Sequence, residues 1–537
     1  MLIDFHTPLA IQSKCCLGSN KHPVNTNLGS MNPSASFPSP SSDKAASDSP
    51  PNACQKCFNQ KRKCDKQMPS CSRCLRTSSQ CNYQTSPEFS SGVLLSTGST
   101  VAGELFVPSE FPMHGVDIDR FTAGLVTATL TERGQPVEGV LEDYFTYIHT
   151  WLATIQEQRF RSRVRSLQHT PHAETALILL VMSLLTLKGH DAHSRDCARS
   201  SMYPLASYLF SLLQFARGPS LELVQAGLLL AVYETGSGRA PTAFITIGTC
   251  ARLGYILRLN VDIPDPETIW AIAEERRRVW LGVYMIDRLI HQVTNITAHA
   301  VEDPANDYKL PINEEYWQDN TSQPQGTVQP SFSTPADIPQ SYFTREIQAS
   351  RILGEVQNLS TRQSESLHEN MDRTDALLMH FMKHLLHQTP ESWKVMCGAN
   401  SIAMLTSLAL HRKRITSISQ QAHSPTRLIK QDQSILALTS TINMVRDTCI
   451  KFDARSQKEK LRILPLPATI CVGEAARIAI WLNGGIVDGP PIDIQPLRRI
   501  LVYSEAVWSL AGDYLRDLPA TGNSASRMQS TTVNGAG

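Results

Sequence analysis

Apolar residues recur along most of this chain at the spacing of one helical face. Ser220 precedes LELVQAGLLLAVYE, and after a GSGRAP loop comes TAFITIGTCARLGYILRL. In the second string Ala243, Ile247, Cys250, Ala251, Gly254 and Leu257 fall on one side of a helix. A third helix is expected from about Glu267 to Ile290, after Pro264 and Pro266, with a stripe of Trp280, Val283, Tyr284, Asp287 and Ile290. Further helices are expected near 341–358, 371–387, 395–418, 433–452, 466–483 and 493–515. Strand-like alternation is scarce, so the pattern predicts one large all-α domain over about residues 135–515. Within the third helix Glu274 and Arg278 stand one turn apart. They are expected to pair on a solvated face while Trp280 and Tyr284 turn inward.

Outside that span the pattern fails. Residues 31–51 hold twelve Ser or Pro in twenty-one, and segment 1–50 reads as disordered. Residues 85–134 read as a linker. Pro87, Pro108 and Pro112, with Gly92, Gly98 and Gly103, leave no apolar heptad there, so no coiled coil is expected. Residues 516–537 read as a disordered tail rich in Ser, Thr, Gly and Asn. The N-terminal MLIDFHTPLAIQSKCC lacks a basic region ahead of an apolar core, so no secretory leader is expected. The longest uncharged apolar run, Thr175 to Leu187, has thirteen residues. It is too short to span a bilayer, so no membrane partner is expected. An intracellular chain keeps its thiols reduced.

Composition adds one fact that matters. Over 537 residues the formal net charge is only +1, yet residues 51–84 carry seven Lys or Arg against the single acid Asp65. That segment also holds six of the thirteen cysteines, written as C-x2-C-x6-C twice: Cys54, Cys57, Cys64, then Cys71, Cys74, Cys81. The other seven, scattered through apolar runs, read as small buried side chains. A disulfide framework would need an oxidising compartment, and a metal-storage tail would need no regular inserts. Structural zinc fits, because C-x2-C places two thiolates on one tetrahedral edge. Two separate tetrahedral sites need eight ligands, and six sulfurs suffice only when two are shared. The equivalent first cysteines, Cys54 and Cys71, are the natural bridges. One zinc then takes Cys54, Cys57, Cys64 and Cys71, and the other takes Cys71, Cys74, Cys81 and Cys54. One zinc with two spare thiols is the alternative.

The six cysteines at these spacings, with Asp65 after the third cysteine and Pro69 two before the fourth, closely resemble the fungal Zn2Cys6 binuclear-cluster DNA-binding domain. EERRRVWLGVYMIDR, Glu274 to Arg288, resembles a recurrent signature of the helical middle homology region of the same regulators, spanning roughly residues 135–320. Each C-x2-C is expected to open a short helix, about Cys57 to Lys63 and Cys74 to Gln80. The first insert ends in Lys61, Arg62 and Lys63; the second ends in Thr77, Ser78, Ser79 and Gln80. The first repeat is therefore the expected DNA reader and the second completes the cage. The resemblance places Lys61 on a CGG triplet in the major groove and Lys63 on phosphate. Phe58 and Gln60 depart from its usual basic residues.

The expected architecture is thus a zinc-cluster domain at 51–84, a linker, and the helical domain. The expected function is a nuclear transcription factor of RNA polymerase II genes that binds double-stranded DNA and meets the transcription machinery or co-regulators. It would act as a monomer, or as a dimer without a coiled coil beside the cluster. A pathway-specific regulator, favoured as an activator, of a fungal secondary-metabolite gene cluster is expected by analogy. A regulator of nutrient or catabolic genes and a zinc-dependent protein-interaction module are the alternatives. Nucleotide-binding loops, G-x-S-x-G and H-E-x-x-H are missing, so no enzyme is expected.

Overall fold

The apolar run at Thr175–Leu187 becomes the buried centre of a helical assembly. The computed structural model describes residues 53–81 and 117–519, apart from 55, 58–59, 68–69, 78–80, 188–191, 263–268, 295, 319–328, 360–366, 389–392, 420–424, 454–463, 485 and 487–489. The expected disordered segment 1–50, the stretch 82–116 and residues 520–537 lie outside the described residues, whereas the start of the expected tail is ordered: its helix runs to Asp517 and Leu518 is buried. The chain divides into two units, Met1–Phe111 and Pro112–Gly537. The first carries the six-cysteine segment, and its described residues include a helical turn at 56–57 and the short helix α1 (Ser72–Arg76).

The second unit is all helical, and its extended pairing among the described residues is a single bridge between Lys309 and Ser331. Its first half comprises α2 (Ile118–Glu132), α3 (Val137–Asp143) with a π-helical turn at Tyr144–Ile148, α4 (Glu157–Ser166), α5 (Ala173–Thr186), α6 (Ala192–Arg217), α7 (Leu221–Gly236), α8 (Ala240–Ile256) and α9 (Trp270–Thr294). A short α10 (Glu314–Gln318) follows, then α11 (Tyr342–Asn358), α12 (Leu367–Gln388), α13 (Trp393–Ser419), α14 (Pro425–Asp453), α15 (Leu466–Asn483), α16 (Gln495–Glu505) and α17 (Leu510–Asp517).

Two hubs organise this unit. Helix α5, buried along almost its whole length, is packed by α2, α3, α4, α6 and α7. Helix α13 is packed by α11, α12, α14 and α15. Helix α9 links the halves by packing on α7 and α8 and on α11. The helix expected after Ser220 is capped by it: the Ser220 hydroxyl accepts the Leu223 N–H at 3.1 Å and starts α7. Two expectations change. The helical unit begins at Ile118, inside the expected linker, because Ala123, Val126 and Leu130 form a buried stripe against α5. The helix expected at 493–515 is two helices, broken where Trp508 turns into the core and donates its indole N–H to the Leu464 carbonyl at 3.0 Å.

The largest correction concerns Glu274 and Arg278. They do pair, at 2.9 Å, but both side chains are 0% exposed. The connection between α9 and α11 folds back over α9, and its backbone groups find their partners on this pair. Glu274 accepts the Ile312 N–H at 3.0 Å, while Arg278 donates to the carbonyls of Ile312 at 2.6 Å and Ala153 at 3.3 Å. The Arg278 guanidinium also lies 4.3 Å from the Trp317 ring centroid. Lower on α9, Asp287 accepts the Ala300 N–H at 3.1 Å, and Arg288 donates to the Val301 carbonyl at 2.9 Å. Such pairs are tolerated inside because each charge meets an opposite one and backbone groups take up further bonds, although the Arg288 Nε is buried without a partner.

Burial, and secondarily the charge of Arg278, push the nearby His149 imidazole down to about 3 from an ordinary 6.5. The folded chain therefore refuses a proton that the unfolded chain accepts below pH 6.5. Stability is insensitive to this group above pH 6.5 and falls as pH drops from there towards 3. Between pH 6.5 and 5 the expected loss from His149 is about 2 kcal/mol. Urea unfolding of a His149→Gln chain should show a shallower acid slope than the parent; equal slopes would contradict this assignment.

Candidate metal centre and nucleic-acid interface

The sequence duplication is repeated in the backbone of the cysteine unit. The Cys54 N–H donates to the Cys64 sulfur at 3.5 Å, and the Cys71 N–H donates to the Cys81 sulfur at 3.2 Å. The same ten-residue step thus closes both halves. Cys54, Cys57, Cys71 and Cys74 are buried and form the core of the described part of this unit, with Cys64 and Cys81 packed against them.

The sulfurs gather into two quartets, Cys54–Cys57–Cys64–Cys71 and Cys54–Cys71–Cys74–Cys81, each with its sulfurs within 4.8 Å of one another. Cys54 and Cys71 belong to both, as ligand counting requires. Sulfur separations are 3.7 Å for Cys54–Cys71, 3.6 Å for Cys54–Cys74 and 3.7 Å for Cys57–Cys71. Two sulfurs at ~2.3 Å from a tetrahedral zinc stand about 3.8 Å apart, so these edges fit the ion. The electrostatics agree. Burial pushes the Cys54 and Cys57 thiols up and carries Cys74 to about 12, whereas the Cys74 backbone N–H holds Cys71 down to about 6. So many sulfurs cannot all ionise together unless a cation shares the space.

The link between the halves is capped by Asp65. Its carboxylate oxygens accept the Ser72 N–H at 3.1 and 3.2 Å, and this bonding lowers its pKa. The second half then forms α1, whose N-cap is the Cys71 sulfur accepting the Cys74 N–H at 3.4 Å. The helix expected at Cys74–Gln80 instead starts at Ser72, and Ser78 to Gln80 lie outside the described residues.

The first half stops earlier than expected. Lys61 adopts φ +48°, the left-handed region, while the Gln60 N–H donates to the Lys56 carbonyl at 3.1 Å and the Arg62 N–H to the Cys57 carbonyl at 2.9 Å. This six-to-one closure is that of a Schellman cap, with lysine where glycine is usual. The turn therefore ends at Lys61, and Arg62 and Lys63 follow outside any helix. All three are exposed. Phe58 lies outside the described residues, so its departure from the family pattern receives no structural account. Sequence reading passed over the outer face of α1, which is not neutral: Arg76 is exposed and Leu75 is 71% exposed. The signal lies in S-R-C-L-R, which precedes the neutral end of the second insert.

Comparison with known proteins agrees with this geometry. Residues 52–89 match the fungal Zn(2)-Cys(6) binuclear cluster domain, and residues 141–425 match the fungal specific transcription factor domain. Transcription factor BOA15 of Botryotinia fuckeliana (strain B05.10) is 34% identical over 26% of this chain and 80% of its own length. Transcription factor tazR of Aspergillus terreus (strain NIH 2624 / FGSC A1156) is 28% identical over 28% of this chain, and the match covers only 25% of that protein. The azaphilone cluster-specific transcription factor azaR of Aspergillus niger (strain ATCC 1015) is 26% identical over 28% of this chain and 35% of its own length. No solved structure matches. These relatives are named as transcription factors, not enzymes, and the cluster domain binds two zinc ions through its six cysteines. The chain belongs to the fungal specific transcription factor family, with a Zn(2)-Cys(6) cluster domain ahead of its helical domain.

Proposed function

We propose that the chain is a nuclear, sequence-specific regulator of RNA polymerase II genes that reads CGG-type triplets. The observation that carries this reading is Lys61, fully presented at the end of a metal-fixed turn and followed by exposed Arg62 and Lys63. Cys54, Cys57, Cys64, Cys71, Cys74 and Cys81 hold the two ions, which neutralise the thiolates and make the unit rigid. Lys61 then donates to guanine O6 and N7 in the major groove, and Arg62 and Lys63 meet phosphates. With its metals the unit keeps a charge of about +4, which favours duplex DNA and makes binding fall steeply with salt.

Lys61→Ala is expected to cost about 1–3 kcal/mol of specific binding and to flatten the triplet preference. Lys61→Gly preserves the left-handed cap and should show the same loss, separating the ammonium from the fold. Band-shift titrations on CGG and scrambled duplexes decide this. Equal loss on both duplexes makes Lys61 a phosphate contact and sinks the assignment.

Likeness to a relative named as azaphilone cluster-specific supports a secondary-metabolite gene cluster as the regulated set. Genome-wide occupancy of the tagged protein tests that placement together with triplet and half-site spacing. The competing reading, a zinc module that binds protein, is favoured by the exposed Leu75 on α1. Binding that survives high salt would support it over DNA reading.

A further inference from the structure

Helix α8 ends in the same unusual way as the turn at Lys61. Helices α2 and α7 close on Gly134 (φ +62°) and Gly238 (φ +74°). At the end of α8 the same place is taken by Arg258 at φ +57°. The Arg258 N–H donates to the Tyr255 carbonyl at 3.0 Å and the Leu259 N–H to the Gly254 carbonyl at 2.9 Å, a complete Schellman cap. Glycine would satisfy this cap without steric cost, so arginine is held here against a backbone preference.

Arg258 borders a cavity of about 520 Å³ between the end of α8 and the start of α9. Arg276 and Arg277, from the E-E-R-R-R string, line it as well. That string divides its work: Glu274, Glu275 and Arg278 serve the interior, and the two central arginines face this space. Arg277 is 9% exposed and is bonded to Glu274 at 2.6 Å and Asp262 at 2.8 Å, yet its Nε is buried without a partner. Arg276 donates only to the Leu257 carbonyl, at 2.7 Å. The Arg258 guanidinium has no hydrogen bond or ion pair with any described residue. Among the described lining residues three guanidinium groups thus face one carboxylate, Asp262, already engaged by Arg277. The remaining lining is mostly apolar and includes Leu257, Ile272 and Tyr308.

We propose that this cavity binds an organic carboxylate with an apolar body, its carboxylate on Arg258 and Arg276 and its body against Leu257, Ile272 and Tyr308. Guanidinium forks match a carboxylate in both geometry and charge. The cavity is of the size that takes small ligands. An acidic small molecule would then be read by the helical domain, and this rests on no property of the DNA-binding unit.

The test is calorimetric titration of the zinc-loaded full chain with 1-naphthoate, with inorganic phosphate, and with 1-naphthylmethylamine. Naphthoate should bind one per chain, phosphate far more weakly, and the amine not at all. Arg276→Gln should weaken naphthoate roughly tenfold to a hundredfold. Arg258→Gly should weaken it similarly while raising the melting temperature, because the left-handed strain is relieved. Absence of naphthoate binding, equal binding of the amine, or phosphate binding as tight as naphthoate would each overturn the proposal. So would affinity unchanged in both variants, or an Arg258→Gly chain that loses stability together with binding.

Discussion

Replacing Cys71 with serine is expected to release both metal ions and unfold the cysteine unit, whereas Cys81→Ser leaves one ion in place. The difference follows from the shared sulfurs. Cys54 and Cys71 belong to both quartets, while Cys64 and Cys81 belong to one each. The unit has little else to hold it: its described buried side chains are four of the cysteines themselves. Structural zinc contributes roughly 10–16 kcal/mol in small domains of this kind, more than such a unit could supply by burial. Zinc content per chain, measured beside binding to a CGG duplex, should read two for the parent, about one for Cys81→Ser and well below one for Cys71→Ser. Equal zinc content in the two variants would remove the bridging role of Cys71, and a parent value of one would remove the binuclear arrangement.

Arg278→Ala is expected to destabilise the helical unit by about 3–5 kcal/mol, since it strands a buried carboxylate. Glu274 would keep only Arg277 as a cationic partner, and the carbonyls of Ala153 and Ile312 would lose their donor. Trp317 would lose the cation above its ring. Arg276→Ala, two positions away and half-buried, should cost less than about 1 kcal/mol. Joint replacement of Glu274 and Arg278 by methionine should recover part of the loss, because no unpaired charge of that pair remains inside. Urea unfolding of the three chains checks the order. Similar costs for Arg278→Ala and Arg276→Ala would mean that the pair is solvated after all, as spacing alone suggests.

The contrast between these two sites explains how much was legible. The zinc centre could be read from spacing because a C-x2-C pair is local and ligand number is an integer constraint. Six sulfurs and two tetrahedral ions leave little choice, and the two quartets found are those that counting produced. The helices of the large unit were legible for a similar reason, since a repeat near 3.6 residues reports a local conformation. The stretch Leu466–Asn483 falls where its periodicity put it.

Other features depended on partners far along the chain. An i, i+4 relation says that Glu274 and Arg278 share a face, but not whether that face meets water. Residues 153 and 312, remote in sequence, settle the matter. Likewise Ile118–Glu132 lay in apparent linker until α5 supplied a surface for its short stripe. The left-handed caps at Lys61 and Arg258 gave no signal, because the usual marker of such a cap is glycine and each position carries a long basic chain.

By itself, then, the sequence determined the metal-binding capacity, the basic character of the first repeat, and the helical class of the large unit. These rest on spacing, charge and periodicity over a few residues. Tertiary structure alone decided which charges are buried, where the basic turn at Lys61 stops, and which arginines face a cavity. Burial and a left-handed cap both arise from contacts and closures that no local pattern encodes.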